Sequence, residues 1–177
     1  MKTPKQHIKT LDVIAQTRAY LDYVEEHVLN VQKAWEVFKV KCNDECGLWD
    51  DFRYFSINDA VTMHDFSKLS ADEFVQYRRK FYPVDGEDAE EATELFKDAW
   101  EHHKEHNIHH WENWTTSDNN HPHFEEVAIA EMVIDWMAMG YKFGDTPREY
   151  YERNKDKIDI PANCIPYLLR IFDALEA

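Results

Sequence analysis

The sequence predicts an all-α fold, a single-domain helical bundle, and two observations lead to this prediction. Apolar residues recur at spacings of three, four or seven over most of the chain, which is the period of an amphipathic helix. Glycine and proline are few, 4 and 6 among 177 residues, which suits helices better than a turn-rich β fold. A chain of this length fits one domain with a real core. We therefore expect residues 1–177 to form one domain.

The first third of the chain predicts one long helix and one short one. Residues from about Ile8 to Val40 form a single amphipathic stretch, and His27 lies at the edge of its apolar stripe. Residues 41–54 are expected to form a connection. A short helix then begins at Ser56, which has the pattern of an N-cap, and ends near the pair His64-Asp65.

The sequence of the middle of the chain contains a histidine cluster and predicts two helices. The run Ser70-Ala71-Asp72-Glu73 has the pattern of a capping box, so we expect it to open a helix that Pro83 stops. A second helix is expected from about Asp88 to Trp111. It carries five histidines whose spacing would bring imidazoles to a common face: His102, His103, His106, His109 and His110. Two more histidines, His121 and His123, follow in a polar loop where we expect them to be exposed.

The segment from Phe124 to Gly140 is apolar nearly all round, as expected for a buried helix that ends at the glycine. Its only ionisable interior residues are Glu131 and Asp135, one turn apart on one face. Burying a carboxylate without a partner costs several kcal/mol, so this pair needs a metal or a basic side chain. Two further helices complete the fold, one capped by Thr146 and a closing amphipathic one that contains Ile165, Leu168 and Phe172.

The charge and the cysteines limit the classes of function. A formal net charge of -15 argues against binding to duplex nucleic acid or to a membrane through charge alone. A nucleotide substrate is compatible with this charge, because a bound divalent metal reverses the local field. The three cysteines, an odd number without a signal peptide, predict reduced thiols and a cytoplasmic protein. No apolar run approaches the ~20 residues of a membrane span.

Residue types that bind metals recur along the chain: His27, the pair His64-Asp65, the histidine cluster and Asp135. Neutral imidazoles and carboxylates suit Mn, Fe, Co, Ni and Zn, and carboxylates also admit Mg. We expect one or two such divalent ions. Metal-bound imidazoles usually donate their other N–H to a carboxylate, and Glu131 is the candidate for this task.

The stretch Met63-His64-Asp65-Phe66-Ser67-Lys68-Leu69 resembles the apolar-His-Asp-x-Gly-Lys motif of the HD-domain metal-dependent phosphohydrolases, with Ser67 in place of the usual glycine. Glu26-His27-Val28 occupies the place of that family's first histidine, and Met132-Val133-Ile134-Asp135 resembles its distal aspartate. The binuclear branch of the family adds histidines in the interval that here holds His103, His109 and His110. The chain is also similar, through the His-His-x3-Asn-x-His-His stretch at 102–110, to a helical family of bacteriophage and bacterial genomes that brings no known activity.

The HD-domain resemblance implies a phosphohydrolase that acts on a nucleotide or another small phosphate ester through metal-activated water. The metal ligands that it implies are His27, His64, Asp65, His103, His109, His110 and Asp135. The catalytic residues would be Asp65, which bridges the metals or positions the water, Lys68, which offsets charge on the leaving phosphate, and Glu131.

Two other functions stay open at this point. A di-iron oxygenase of HD-like fold would use the same ligand types with O2, and an oxygen-dependent absorption band would favour it. A non-enzymatic binding protein would use the metal only to hold its fold together. The sequence also leaves open whether the chain forms a homo-oligomer.

Overall fold

The computed structural model describes residues 8–48, 50–115 and 124–177, and within these ranges the chain is helical and contains no strand. Its helices are α1 (Thr10–Lys41), α2 (Asn43–Cys46), α3 (Asp51–Thr62), α4 (Phe74–Phe81), α5 (Ala89–His106), α6 (Trp111–Thr115), α7 (Phe124–Phe143), α8 (Pro147–Asn154) and α9 (Ile165–Glu176). A 3₁₀ turn over Phe66–Leu69 separates α3 from α4. The predicted all-α class is therefore confirmed for these ranges. His121 and His123 lie outside them.

The chain divides into two compact units, which are described separately below. The first unit combines residues 8–26 with Asp65–His103, and the second combines His27–His64 with the described part of Lys104–Ala177. The boundaries fall within α1, between His64 and Asp65, and within α5. The prediction that residues 1–177 form one domain stays a prediction.

The core of the second unit is built around α7, which packs against α3, α6, α8 and α9. From Val127 to Ala138 every residue of α7 except Asp135 is buried. Phe38 of α1 and Ile171 of α9 belong to the same core and are fully buried. Because neighbouring helices cover several sides of α7, its sequence is apolar nearly all round, as predicted.

The first unit has an aromatic core, and a largely buried ion pair lies in the same unit. The ring of Tyr77 lies edge-on to that of Phe96, at 5.0 Å between centroids, and Phe81 approaches Phe96 in the same way at 5.1 Å. Arg78 is buried beside Glu87, and its Nη1 donates to Glu87 Oε2 at 2.8 Å. The pair leaves neither charge without a partner, which burial requires.

Two predicted helix starts are wrong, and the reasons differ. Helix α3 begins directly after Asp50 rather than at Ser56, because the Asp50 carboxylate accepts from the backbone N–H of Phe52 at 2.9 Å. Helix α4 begins at Phe74, after the predicted capping box. Glu73 occupies the N-cap position but its side chain makes no capping hydrogen bond. The carboxylate of Glu73 binds two histidines instead.

The predicted helix from Asp88 to Trp111 is interrupted, because α5 ends at His106. The side-chain amide of Asn113 donates to the carbonyl oxygens of Lys104 at 3.2 Å and Glu105 at 2.6 Å. These carbonyls belong to the last turn of α5, where the helix itself supplies no partner. The amide therefore stabilises the end of the helix at this point.

The ends of the last three helices agree with the predictions from short sequence patterns, except for the end of α7. Gly140 does not end this helix, because the left-handed residue is Gly144, with φ of +87°. Gly140 instead allows a close approach, since a Cβ there would collide with the carbonyl oxygen of Asp145. The predicted cap of α8 is confirmed, because Thr146 and Glu149 form a complete capping box. The predicted closing helix is α9.

Candidate metal centre

Three donor atoms meet in the second unit at the spacing of metal ligands. His27 Nε2 lies 3.1 Å from His64 Nε2 and 3.2 Å from Asp135 Oδ1, and His64 Nε2 lies 3.6 Å from that same oxygen. Both histidines are buried. Two ligands of one ion with bonds of about 2.1 Å, the length of a metal–imidazole bond, lie about 3.0 to 3.4 Å apart. The spacing of these three donors therefore suits the ligands of one ion.

The protonation of His64 favours a cation at this point. Its Nδ1 lies 3.0 Å from Glu131 Oε1, and because an ionised carboxylate only accepts, the ring hydrogen of neutral His64 is assigned to Nδ1. Its Nε2 then carries a lone pair that faces Asp135 Oδ1 and His27 Nε2. Only His27 can donate a hydrogen among these three atoms. A divalent ion would accept a lone pair from each of these three atoms. The His64–Glu131 contact is the carboxylate–histidine arrangement that typically supports a metal ligand.

Glu131 also contacts a second histidine. His109 Nδ1 lies 3.4 Å from Glu131 Oε1, and the His109 ring lies 4.2 Å from that of His64 between centroids. His64, His109 and Glu131 together form a buried group that can also hold a metal ion. His64 Nδ1 cannot both donate to Glu131 and bind an ion, so we favour the set with Asp135. The ring of His110 lies beside that of His109 in a tilted arrangement, with 4.4 Å between ring centroids.

Both carboxylates of α7 remain ionised because imidazoles surround them. Burial would raise the pKa of Glu131, but hydrogen bonds with His109 and His64 outweigh it and lower the pKa to about 2. Burial likewise opposes ionisation of Asp135, and its contacts with His27 and His64 hold its pKa well below the ordinary value. The carboxylate pair was predicted to need a metal or a basic side chain, and histidines are the basic side chains that contact it.

The first unit contains Asp65, Lys68 and His103 from the predicted site. Asp65 is buried with φ of +59°, a left-handed backbone that aspartate tolerates better than most residues. Lys68 Nζ lies 2.5 Å from Asp65 Oδ2, and its side chain is only 12% exposed, so Lys68 is not a solvated surface lysine. His103 Nε2 lies 3.3 Å from Asp65 Oδ1. These two donors are also spaced as two ligands of one ion would be.

Glu73 is the residue that the sequence did not identify as part of the site. It is fully buried, and its two oxygens lie 2.9 Å from His103 Nδ1 and 2.7 Å from His102 Nδ1. Burial would raise the pKa of Glu73, but hydrogen bonds from His103, His102 and Ser67 lower it overall. The available signal was its position one turn before the buried Tyr77, which places Glu73 on the inner face of the segment.

The five histidines of the cluster do not share one helix as predicted, because α5 ends at His106. His103 is buried in the first unit, His102 is half-buried there, and His106 is exposed on the last turn of α5. His109 and His110 follow in a turn of the second unit. Ligand roles for His103, His109 and His110 stay predictions.

A pocket of about 340 Å³ also lies in the second unit, and no predicted site residue lines it. Its walls are mainly apolar and include Val37, Met137, Tyr141, Phe172 and Leu175. Among the described residues, no helix is both long enough and apolar enough to cross a membrane. The cysteines Cys42, Cys46 and Cys164 are free and buried.

The fold and these contacts define a class, a helical protein with buried histidine and carboxylate groups that can hold a metal ion. The chain belongs to the family of unknown function DUF5662, whose family model matches residues 16–168. No curated protein and no solved structure matches the chain. The description of this family names no activity.

Proposed function

We propose that this chain is a metal-dependent phosphohydrolase with an HD-domain-like helical bundle, acting on a nucleotide or another small phosphate ester. The observation that carries the proposal is the triangle of His27 Nε2, His64 Nε2 and Asp135 Oδ1, with sides of 3.1, 3.2 and 3.6 Å. The HD-domain resemblance, through the His64-Asp65 pair and the distal Asp135, supports the hydrolytic use of that site.

The residues of the second unit have separate tasks in this proposal. His27, His64 and Asp135 bind the ion, and Glu131 holds His64 so that its Nε2 lone pair points at the ion. A divalent metal bound there would lower the pKa of a water ligand and neutralise phosphate oxygens. Three protein ligands leave further coordination positions open, which a catalytic site needs and a purely structural site does not.

The phosphate-binding part of the proposal rests on Asp65 and Lys68. Lys68 supplies a half-buried positive charge at 2.5 Å from Asp65, and a lysine is a common phosphate ligand. A chain with a net charge of -15 repels phosphate esters over most of its surface. Local positive charge from a metal and from Lys68 is therefore what substrate binding requires, and the roles of Asp65 and Lys68 are assigned by the resemblance.

A substrate screen tests the proposed function. Untagged protein reconstituted with Mn, Co or Fe should release phosphate or cleave the ester of at least one nucleotide or phosphodiester. Asp135→Asn, which keeps the size of the side chain but removes its charge, should reduce this turnover at least ~100-fold if the metal generates the nucleophile. Asp173→Asn is the matched control. This carboxylate is exposed on α9 and pairs with Arg148 of α8. Wild-type turnover by Asp135→Asn, or metal-loaded protein that hydrolyses no substrate of either class, would overturn the proposal.

A further inference from the structure

Each carboxylate oxygen of Glu73 contacts the imidazole of a histidine. Its Oε2 lies 2.9 Å from His103 Nδ1 and its Oε1 lies 2.7 Å from His102 Nδ1, both in the first unit. Ser67 Oγ also lies 3.2 Å from His103 Nδ1. The residue is 0% exposed, so these contacts replace its hydration entirely.

We propose that Glu73 is a positioning residue that fixes the tautomer and the orientation of His103, so that His103 Nε2 and Asp65 Oδ1 form a ready pair of cation ligands. The inference deepens the proposed function and rests on it for the identity of the cation, a divalent metal of the Mn-to-Zn series.

The contacts with the Glu73 carboxylate determine the tautomers of His102 and His103. An ionised carboxylate only accepts hydrogen bonds, so the ring hydrogens of His102 and His103 are both on Nδ1. The lone pair of neutral His103 is then on Nε2, which lies 3.3 Å from Asp65 Oδ1. Two acceptors that face each other at this distance repel unless a metal ion or a proton lies between them. Two ligands of one ion with bonds of about 2.1 Å are themselves about 3.0 to 3.4 Å apart, which matches this spacing.

The second unit repeats the same arrangement with different residues. There Glu131 Oε1 lies 3.0 Å from His64 Nδ1, and the Nε2 atom of that ring faces Asp135 Oδ1 at 3.6 Å. Each unit thus contains a buried glutamate at the Nδ1 atom of a buried histidine whose Nε2 atom faces an aspartate. This recurrence favours a ligand-positioning role for Glu73 over helix capping, for which its side chain makes no hydrogen bond.

The first unit also contains a glutamate, Glu87, whose role is purely structural and which can be compared with Glu73. Glu87 is a half-buried glutamate whose side chain is 7% exposed, and it pairs with Arg78, with Arg79 and with the backbone N–H of Val84. Among the described residues it contacts no histidine. Glu87→Gln therefore removes a buried charge from the same unit without changing the partner of any imidazole, and is the matched control for Glu73→Gln.

The test is the tautomeric state of the histidines in the metal-free full chain, read from long-range proton–nitrogen NMR spectra above the ordinary pKa of histidine. Wild type should carry the hydrogen of His102 and of His103 on Nδ1. In Glu73→Gln the side chain offers one acceptor and one donor, so one of the two rings should switch to the Nε2–H form. Glu87→Gln should switch neither. A wild-type His103 with its hydrogen on Nε2 would overturn the inference, even if Glu73→Gln did not fold.

Metal affinity separates this inference from the proposed function. Loss of a carboxylate that orients a metal-binding histidine typically weakens binding roughly 10- to 100-fold, and Glu73→Gln should show a loss of this size while Glu87→Gln does not. The predicted tautomers in a protein that binds no metal would support positioning by Glu73 and would overturn the proposed function alone. Metal binding that is equal in wild type and Glu73→Gln, with no tautomer switch, would overturn the inference and leave the metal centre of the second unit standing.

Discussion

Replacement of Glu131 by glutamine tests how the second unit prepares its metal-binding histidines. Glu131 Oε1 lies 3.0 Å from His64 Nδ1 and 3.4 Å from His109 Nδ1, while Oε2 is buried without a hydrogen-bond partner among the described residues. Glutamine keeps one carbonyl oxygen for these ring hydrogens but removes the negative charge that makes His64 a more basic ligand. Its NH2 group would take the place of Oε2.

The expected effect is a weaker metal complex with unchanged stoichiometry. Loss of a supporting carboxylate typically costs 10- to 100-fold in metal affinity, which corresponds to about 1.4 to 2.7 kcal/mol. Because Glu131→Gln retains an acceptor, we expect a loss near the lower value. Glu131→Leu removes acceptor and charge together, so we expect a loss near the upper value. Neither substitution removes a direct ligand, so the number of bound ions should stay the same.

The assay is competition between the protein and a chromophoric chelator for Co or Zn, with thermal unfolding as a check on the fold. Glu126→Gln is the control, since this residue lies on the same helix and its carboxylate pairs with Arg53. Equal affinity in wild type and in both Glu131 variants would show that the His64–Glu131 contact does not support a ligand. Loss of one ion in Glu131→Gln would make Glu131 itself a ligand and would also refute the reasoning.

Three further substitutions test the account of the fold. Hydrogen bonds from Arg78 hold the pKa of Glu87 below its ordinary value, so this contribution to stability is present above about pH 4.5 and is lost as the pH falls through the lowered pKa. Glu87→Gln should therefore have a lower free energy of unfolding than wild type in urea at neutral pH. The difference in free energy of unfolding should become smaller in acid, and a difference that does not change with pH would contradict this. Ile134→Ala creates a cavity beside α7 and should lower the free energy of unfolding by about 2–5 kcal/mol, without a change in m-value. Thr146→Ala removes the cap on Glu149 N–H and should cost about 0.5–2 kcal/mol, whereas no loss would mean that the cap is not used in solution.

Local patterns in the sequence predict the features of this protein that depend on neighbours in the chain. Glu131 and Asp135 stand one turn apart on an otherwise apolar helix, so their position on one shared face follows from helical periodicity. The cap at Thr146 follows from a four-residue pattern. The resemblance of the motif around His64 to that of the HD-domain proteins implies the ligand set, including His27, and this set stays a prediction.

Features that depend on distant partners were not predictable in this way. Glu73 fits a capping box locally, but its carboxylate instead contacts His102 and His103, which lie 29 and 30 residues further along the chain. The end of α5 depends on the side chain of Asn113, beyond the helix that it terminates. The left-handed backbone of Asp65 likewise has no sequence marker, because aspartate adopts that conformation only where its surroundings favour it.

The central claim is that His27, His64 and Asp135 form a metal centre, and the metal content of untagged protein tests it most directly. After reconstitution with Mn, Fe, Co, Ni or Zn, wild type should hold at least one ion per chain. The double variant His64→Ala/Asp135→Ala should lose one equivalent, while His106→Ala, an exposed histidine on α5, should lose none. Wild-type protein that binds none of these metals, or a double variant with full metal content, would contradict the account.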